Sequence, residues 1–282
     1  MMTISDLEKK AYAIRQDIIS ALVTAKSGHS AGPLGMADIF TALYFRVLNI
    51  TPETRHDPNR DRLVLSNAHI CPVLYATLAQ RGYVGRDAFL KNLRKIGSPF
   101  QGHSNNHFDI GIETCGGPLG QGISQAVGMA LAARMDEATW RTYCLMGDGE
   151  LDEGQCWEAF MLAGKERLRN LTVIVDRNNI QIDGFTENIM PLEPLADKFR
   201  AFNFHVIEID GHNIGQFLDA VGEAKAVYEK PTVILAHTIP GKGVSFMENR
   251  YEWHGKPPNP EEAKEALKEL RTLQGHITSE HQ

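Results

Sequence analysis

The sequence predicts a doubly wound α/β fold, a mostly parallel sheet with helices on both faces. Short and almost wholly apolar runs recur, as at Leu171 to Val175 and Thr232 to Ala236. A strand that is apolar on both sides belongs in a sheet covered on both faces. Stretches with helical spacing alternate with these runs, which is the pattern of strand–helix–strand units. No Pro/Ser linker, low-complexity tract or repeat divides the 282 residues, so residues 1–282 are read as a single domain.

The elements follow in order. Ser5 is the expected N-cap, with Glu8 three residues on completing a capping box. Leu7, Ala11, Ile14, Ile18, Ala21 and Leu22 then repeat at helical spacing to about Ala25, and Gly28 ends the helix. Met36 to Leu48 reads as a second helix, Asp61 to Leu65 as a strand and Val73 to Gln80 as a helix. Ile96 to Gly117 is rich in Gly, His and Asn and has no period; a loop of that length in a compact domain is usually functional. Gly120 to Met135 is a small-residue helix suited to close packing against a sheet or a partner helix. Thr142 to Met146 is a strand, Gly154 to Arg167 a helix, Leu171 to Val175 a strand and His205 to Ile209 another. Ile214 to Tyr228 is a helix and Thr232 to Ala236 a buried strand. A solvated helix from about Pro260 to Leu273 and a frayed tail close the chain.

Composition narrows the function. Apolar content of 43% and charged content of 23% are ordinary for a globular protein. A net charge of -6 serves solubility and gives no reason to expect nucleic-acid binding. Cys71, Cys115, Cys144 and Cys156 form no C-x-x-C pair, which disfavours zinc and a disulfide framework and fits reduced thiols. The N-terminus has no signal-peptide pattern, and no apolar run reaches the roughly twenty residues of a membrane span. A cytoplasmic location is the default expectation.

Two segments carry the most chemistry: Met146-Gly147-Asp148-Gly149-Glu150, then Val175-Asp176-Arg177-Asn178-Asn179. A Gly-Asp-Gly turn after an apolar strand can aim a carboxylate at a cation, and a second strand can bring an amide to the same ion. Mg²⁺ and Ca²⁺ take such hard oxygen ligands. Alone, Gly-Asp-Gly is equally an ordinary turn. Gly117-Pro118-Leu119-Gly120-Gln121-Gly122 opens a helix, where free N–H groups favour negative charge. Its G-x-x-G-x-G order is not a dinucleotide fingerprint, and Pro240-Gly241-Lys242-Gly243-Val244-Ser245 is not a Walker A loop. A lone histidine is ordinarily structural, yet His29, His69, His103 and His254 each lie beside a glycine or small residue in a loop, where a side chain faces a site. Glu153 and Glu158, five residues apart, do not share a helix face and suit a helix N-terminal dipole.

With Lys26-Ser27-Gly28-His29, Leu65-Ser66-Asn67-Ala68-His69, Gly102-His103 and Trp253-His254-Gly255, these segments resemble the transketolase family, in the family's order. The match runs from about residue 10 to about 260 and covers the family's N-terminal half. The resemblance implies a thiamin diphosphate-binding fold whose cofactor, thiamine diphosphate, is held through Mg²⁺ or Ca²⁺. It implies Asp148, Asn178 and the Ile180 carbonyl as metal ligands. It places His69, Gly117, Leu119, Asp148, Gly149, Asn178, Ile182 and His254 against the cofactor. It makes His29, His103 and His254 catalytic, with His29 and His103 lining the donor's channel, and sets Glu153 and Glu158 at the interface between cofactor sites.

The implied activity is transfer of a two-carbon ketol unit from a ketose phosphate to an aldose acceptor. In that family the activating glutamate and the arginines that clamp the sugar phosphate lie in a second domain, which this sequence does not contain. The expectation is therefore the N-terminal subunit of a split transketolase. It would work only with a C-terminal partner subunit, in a heterotetramer within which it also self-associates. Ser30-Ala31-Gly32, Cys115-Gly116 and Ser104-Asn105-Asn106-His107 depart from the family's usual residues along the substrate channel. They leave the donor open between an ordinary pentose-phosphate ketose and a branched sugar such as apulose phosphate. Two further readings stay open: another thiamine-diphosphate enzyme, such as a deoxyxylulose-phosphate synthase or a 2-oxoacid dehydrogenase component, and a non-catalytic binding subunit.

Overall fold

The computed structural model describes residues 2–272. Helix α1 (Ile4–Ala25) opens the chain. Its cap is Thr3 and not Ser5: Thr3 Oγ1 accepts the Asp6 N–H at 3.2 Å, and the Asp6 carboxylate accepts the Thr3 N–H at 2.9 Å. Thr3 and Asp6 form the same reciprocal box two residues upstream, so Ser5 is already helical. An unanticipated α2 (Ala31–Gly35) comes first, and the single helix expected over 36–48 is two pieces, α3 (Ala37–Ala42) and a wide π-type turn at Leu43–Val47. The break between α2 and α3 lies at Met36, whose ψ is 1°, beside a Gly35 that packs against the Ile239 carbonyl.

Next come β1 (Arg62–Leu65), α4 (Cys71–Arg81) and α5 (Arg86–Asn92). The 96–117 segment is a loop with one short 3-10 turn at Phe108–Ile110. Then follow α6 (Gln121–Met135), β2 (Thr142–Gly147), α7 (Gly154–Lys165) and β3 (Leu171–Arg177). A hairpin of β4 (Ile180–Gln181) and β5 (Gly184–Phe185) leads into α8 (Thr186–Ile189) and α9 (Leu195–Ala201). The chain closes with β6 (His205–Asp210), α10 (Ile214–Ala226), β7 (Thr232–His237) and α11 (Pro260–Thr272). Leu273 and the expected frayed tail lie outside the described residues. Sequence reading did not anticipate α2, α5, the hairpin, α8 or α9. These elements are short, between two and seven residues, and too brief to show a period.

The five long strands form a parallel sheet in the order β1-β2-β3-β7-β6. Alternation along each strand sorts the core into two layers. Leu63, Leu65, Tyr143, Leu145, Ile174 and Ile234 face one side, with residues of α1, α3, α4 and α10. Val64, Cys144, Met146, Val173, Val175, Val233 and Leu235 face the other, with residues of α6, α7 and α9. The expectation of an apolar, doubly covered sheet is met, and α6 packs against β2 and α7. The carboxyl ends of β1, β2, β3 and β7 release Ser66, Asp148, Asn178 and Thr238 along one edge. In open parallel sheets that edge is where ligands bind.

Candidate active site

A cavity of about 300 Å³ opens at this edge. Asp148, one residue beyond β2, and Asn178, one residue beyond β3, both line it, together with Ile180. Asp148 is 1% exposed. Its Oδ2 accepts from Arg177 Nη1 at 2.9 Å and from the Asn179 N–H at 2.7 Å, and its Oδ1 accepts the Gly149 N–H at 2.8 Å. Asn178 donates from Nδ2 to Asp176 at 2.7 Å, and its Oδ1 accepts the Ile180 N–H at 3.1 Å. Asp176 is itself fully enclosed and takes the Thr238 hydroxyl on its other oxygen. Burial, reinforced by the charge of Asp148, pushes the Asp176 carboxyl up to about 7. Burial also raises Asp148, against the pull of Arg177 and two backbone N–H groups. A positive ion at this end of the cavity would lower the cost of holding two carboxylates there.

Glu150 ties the neighbouring loops together. One oxygen accepts the Ser66 hydroxyl and the Gly120 N–H (2.8 Å), and the other accepts the Gly147 N–H at 3.1 Å. Two strand ends and the Gly117–Gly122 turn are thus fixed through a single buried carboxylate, whose pKa burial raises. The turn needs its glycines. Gly120 caps α6 with φ 79°, and a Cβ on Gly122 would sit 2.5 Å from the Ser66 Cβ. Gly117, Leu119 and Gly149 form the cavity wall here, while Ile182, 70% exposed, projects from the hairpin at its mouth.

The opposite end is a cluster of imidazoles. His29, His69 and His254 lie with ring centroids 5.0 to 5.5 Å apart. His103 lines the same cavity from the 96–117 loop, at its exposed side. Burial drives the His29 ring down to about 4, with the neighbouring histidines and Arg94 adding to the effect. Burial holds His69 well below its ordinary value and lowers His254 too. His103 is lowered by burial first and then by Arg94. All four are therefore neutral near pH 7, each offering one donor and one acceptor. His29 Nδ1 here, and Asn67 Oδ1 beside Gly147 at the end of β2, are buried without a hydrogen-bond partner. Buried polar atoms of this kind ordinarily find partners, and here a ligand can provide them.

Every residue expected to touch a metal, cofactor or donor thus lines one cavity. Glu153 and Glu158 do not: they are exposed on and before α7, outside it. Sequence reading gave no role to Asn67, Glu150, Asp176 and Arg177. Glu150 stands in the Gly-Asp-Gly segment and Asp176 in the second one, so their position was visible, but their bonding partners are distant in sequence. Among the described residues no group of three His, Cys, Asp or Glu side chains is arranged to hold a metal alone. One carboxylate, one amide and one backbone carbonyl make a partial shell that needs ligand oxygens to complete it. That donor set and the orphaned polar atoms fit a divalent cation with a diphosphate.

The fold and cavity define a diphosphate-binding α/β domain, and comparison with known proteins agrees. Residues 7–276 match the family model described as transketolase, thiamine diphosphate binding domain. The 6-deoxy-6-sulfo-D-fructose transketolase subunit SqwG of Clostridium sp. (strain MSTE9) is 45% identical, over 94% of this chain and 96% of that protein. An apulose-4-phosphate transketolase subunit of Phocaeicola vulgatus is 38% identical, over 95% of each chain. The crystal structure of transketolase from Campylobacter jejuni superposes with a TM-score of 0.87 at 35% identity, covering 97% of this chain and 43% of that one. The chain belongs to the transketolase family, as an N-terminal transketolase subunit, and so to the transferases.

Proposed function

We propose that this chain, as one diphosphate-binding domain, works with a C-terminal transketolase subunit to move a two-carbon ketol unit from a ketose to an aldose acceptor. The observation that carries this reading is the shared cavity: Asp148, Asn178 and Ile180 at one end, and His29, His69, His103 and His254 at the other. When bound, thiamine diphosphate would supply the chemistry that breaks and remakes the carbon–carbon bond. The residues that would hold it are Asp148, Asn178 and the Ile180 carbonyl through Mg²⁺ or Ca²⁺, and His69, Gly117, Leu119, Gly149, Ile182 and His254 directly. Neutral His29, His103 and His254 would bond the donor's hydroxyl and carbonyl oxygens and pass protons at those atoms. Exposed Glu153 and Glu158 would meet the partner or a second copy in a heterotetramer.

The donor is a ketose with an anionic end. Relatives named for 6-deoxy-6-sulfo-D-fructose and for apulose 4-phosphate support a specialised donor, with an ordinary pentose-phosphate ketose as the second reading. The free thiols among the described residues support a reducing, cytoplasmic setting. Among the described residues no helix is long and apolar enough to cross a membrane. The test is a ketol-transfer assay with the C-terminal subunit, thiamine diphosphate and Mg²⁺ against these donors. Turnover with at least one is expected; none with any donor, or pyruvate turnover with CO₂ release instead, would overturn the reading.

A further inference from the structure

Arg94 stands between the loops that carry His29 and His103, and the cofactor-binding set makes no use of it. Its backbone is left-handed, with φ 59°, a conformation that a residue with a side chain seldom adopts. Such strain persists only where surrounding contacts fix it. The Arg94 N–H donates to the Phe100 carbonyl at 2.7 Å, closing the 94–100 loop. The guanidinium then reaches two ways: Nη1 donates to Ser27 Oγ at 2.8 Å, and Nη2 to the Gly102 carbonyl at 3.4 Å. Ser27 lies two residues before His29, and Gly102 lies immediately before His103. The seat is cut for this side chain, since a Cβ on Gly102 would meet Arg94 Cζ and Nε at 3.0 Å. From beneath, the Tyr75 hydroxyl donates to the Gln101 carbonyl at 3.0 Å and the Cys71 thiol to the Gly102 carbonyl at 3.3 Å.

We propose that Arg94 is a positioning residue of the ketol-transfer site: its forked guanidinium ties the His29 loop to the His103 loop and sets both imidazoles across the donor channel. This rests on the reading of His29 and His103 as donor-facing. Two properties of the side chain separate. The planar fork bonds both loops, whereas the positive charge opposes protonation of both rings, second to burial at His103 and third at His29. The other titratable groups around His29 and His103 are His69 and His254. Asp148, Glu150 and Asp176 lie at the far end of the cavity, Asp183 on its wall, and Cys71 beneath the guanidinium.

Arg94→Lys keeps the charge and loses the fork. Arg94→Gly loses both and accepts the left-handed backbone, so the fold is spared. In the complex with its C-terminal subunit, both variants should lose about 100-fold in kcat/KM for the donor, the scale of a misplaced catalytic group, while thiamine diphosphate affinity holds. The acid limb of the pH profile should stay in place for Arg94→Lys and move to higher pH for Arg94→Gly. Wild-type turnover from both variants, or cofactor affinity falling in step with activity, would overturn the proposal. Should the wild-type complex show no ketol transfer, the functional reading fails, but the strut is still readable. Histidine-ring NMR titrations of the full chain must show His29 and His103 protonating at higher pH in Arg94→Gly. Superimposable titrations would reject the role of Arg94.

Discussion

The two ends of the cavity solve opposite problems. At the strand ends, Asp148, Glu150 and Asp176 are enclosed carboxyl groups beside the buried Arg177 guanidinium, and each is hydrogen-bonded. At the imidazole end, His29, His69 and His254 are neutral, close to one another, and leave His29 Nδ1 without a partner. The first end is part of what holds the protein together, because its carboxylates bond the loops after β1, β2 and β3. The second contributes little to folding and leaves its polar atoms for a ligand. Substitutions should therefore separate the two ends, stability being sensitive at one and turnover at the other.

The largest effect is expected at Asp148. Asp148→Ala strips a partner from the buried Arg177 guanidinium, which retains Glu187 and Glu193. A loss of about 3 kcal/mol in urea unfolding is expected, the low end for breaking a buried pair. Unfolding indistinguishable from wild type would erase the contrast between the ends. Glu150→Gln comes next. An amide nitrogen cannot accept, so at least one of the Ser66, Gly120 and Gly147 donors loses its partner, at about 2 kcal/mol by the same measurement. His254→Ala should shift stability by less than about 1 kcal/mol at pH 7.5 while removing most ketol transfer. A variant that unfolds readily but turns over normally would reverse the assignment of the two ends.

The smallest effect concerns pH. Folded-state values for His29, His69 and His254 lie below the ordinary 6.5, so the unfolded chain binds more protons. Their contribution to stability is complete above about 6.5 and is lost as pH falls below it, in the case of His29 down to about 4. The cofactor-free chain should therefore show a falling Tm through that window, with a shallower fall in His69→Ala. Parallel curves would mean that the imidazoles are not the source.

The strands and their two-faced burial were legible because Leu171 to Val175 and Thr232 to Ala236 are apolar at every position but Thr172 and Thr232. The cavity residues were legible as short loop segments, several of them beside glycines. What sequence did not give is the wiring. Glu150 bonds Ser66 across 84 positions and Gly120 across 30, and Arg94 reaches Ser27 across 67. No local pattern encodes contacts of that span. The hairpin after β3 is hard to read for a different reason: two-residue strands carry no period, and Asp183-Gly184 is a turn signal without apolar runs of strand length beside it. The cap at Thr3 was misplaced because Ser5 and Glu8 offer the same spacing as Thr3 and Asp6, and only backbone geometry separates them.

A cation joining Asp148 and Asn178 to a diphosphate is the central element of the proposed site. Titration calorimetry of thiamine diphosphate into the chain assembled with its C-terminal subunit tests this, with Mg²⁺ or with chelator, for wild type and Asp148→Ala. Binding that requires the cation and weakens at least about tenfold in Asp148→Ala, about 1.4 kcal/mol, is the predicted result. Equal binding in chelator, or by Asp148→Ala with Mg²⁺, would contradict it.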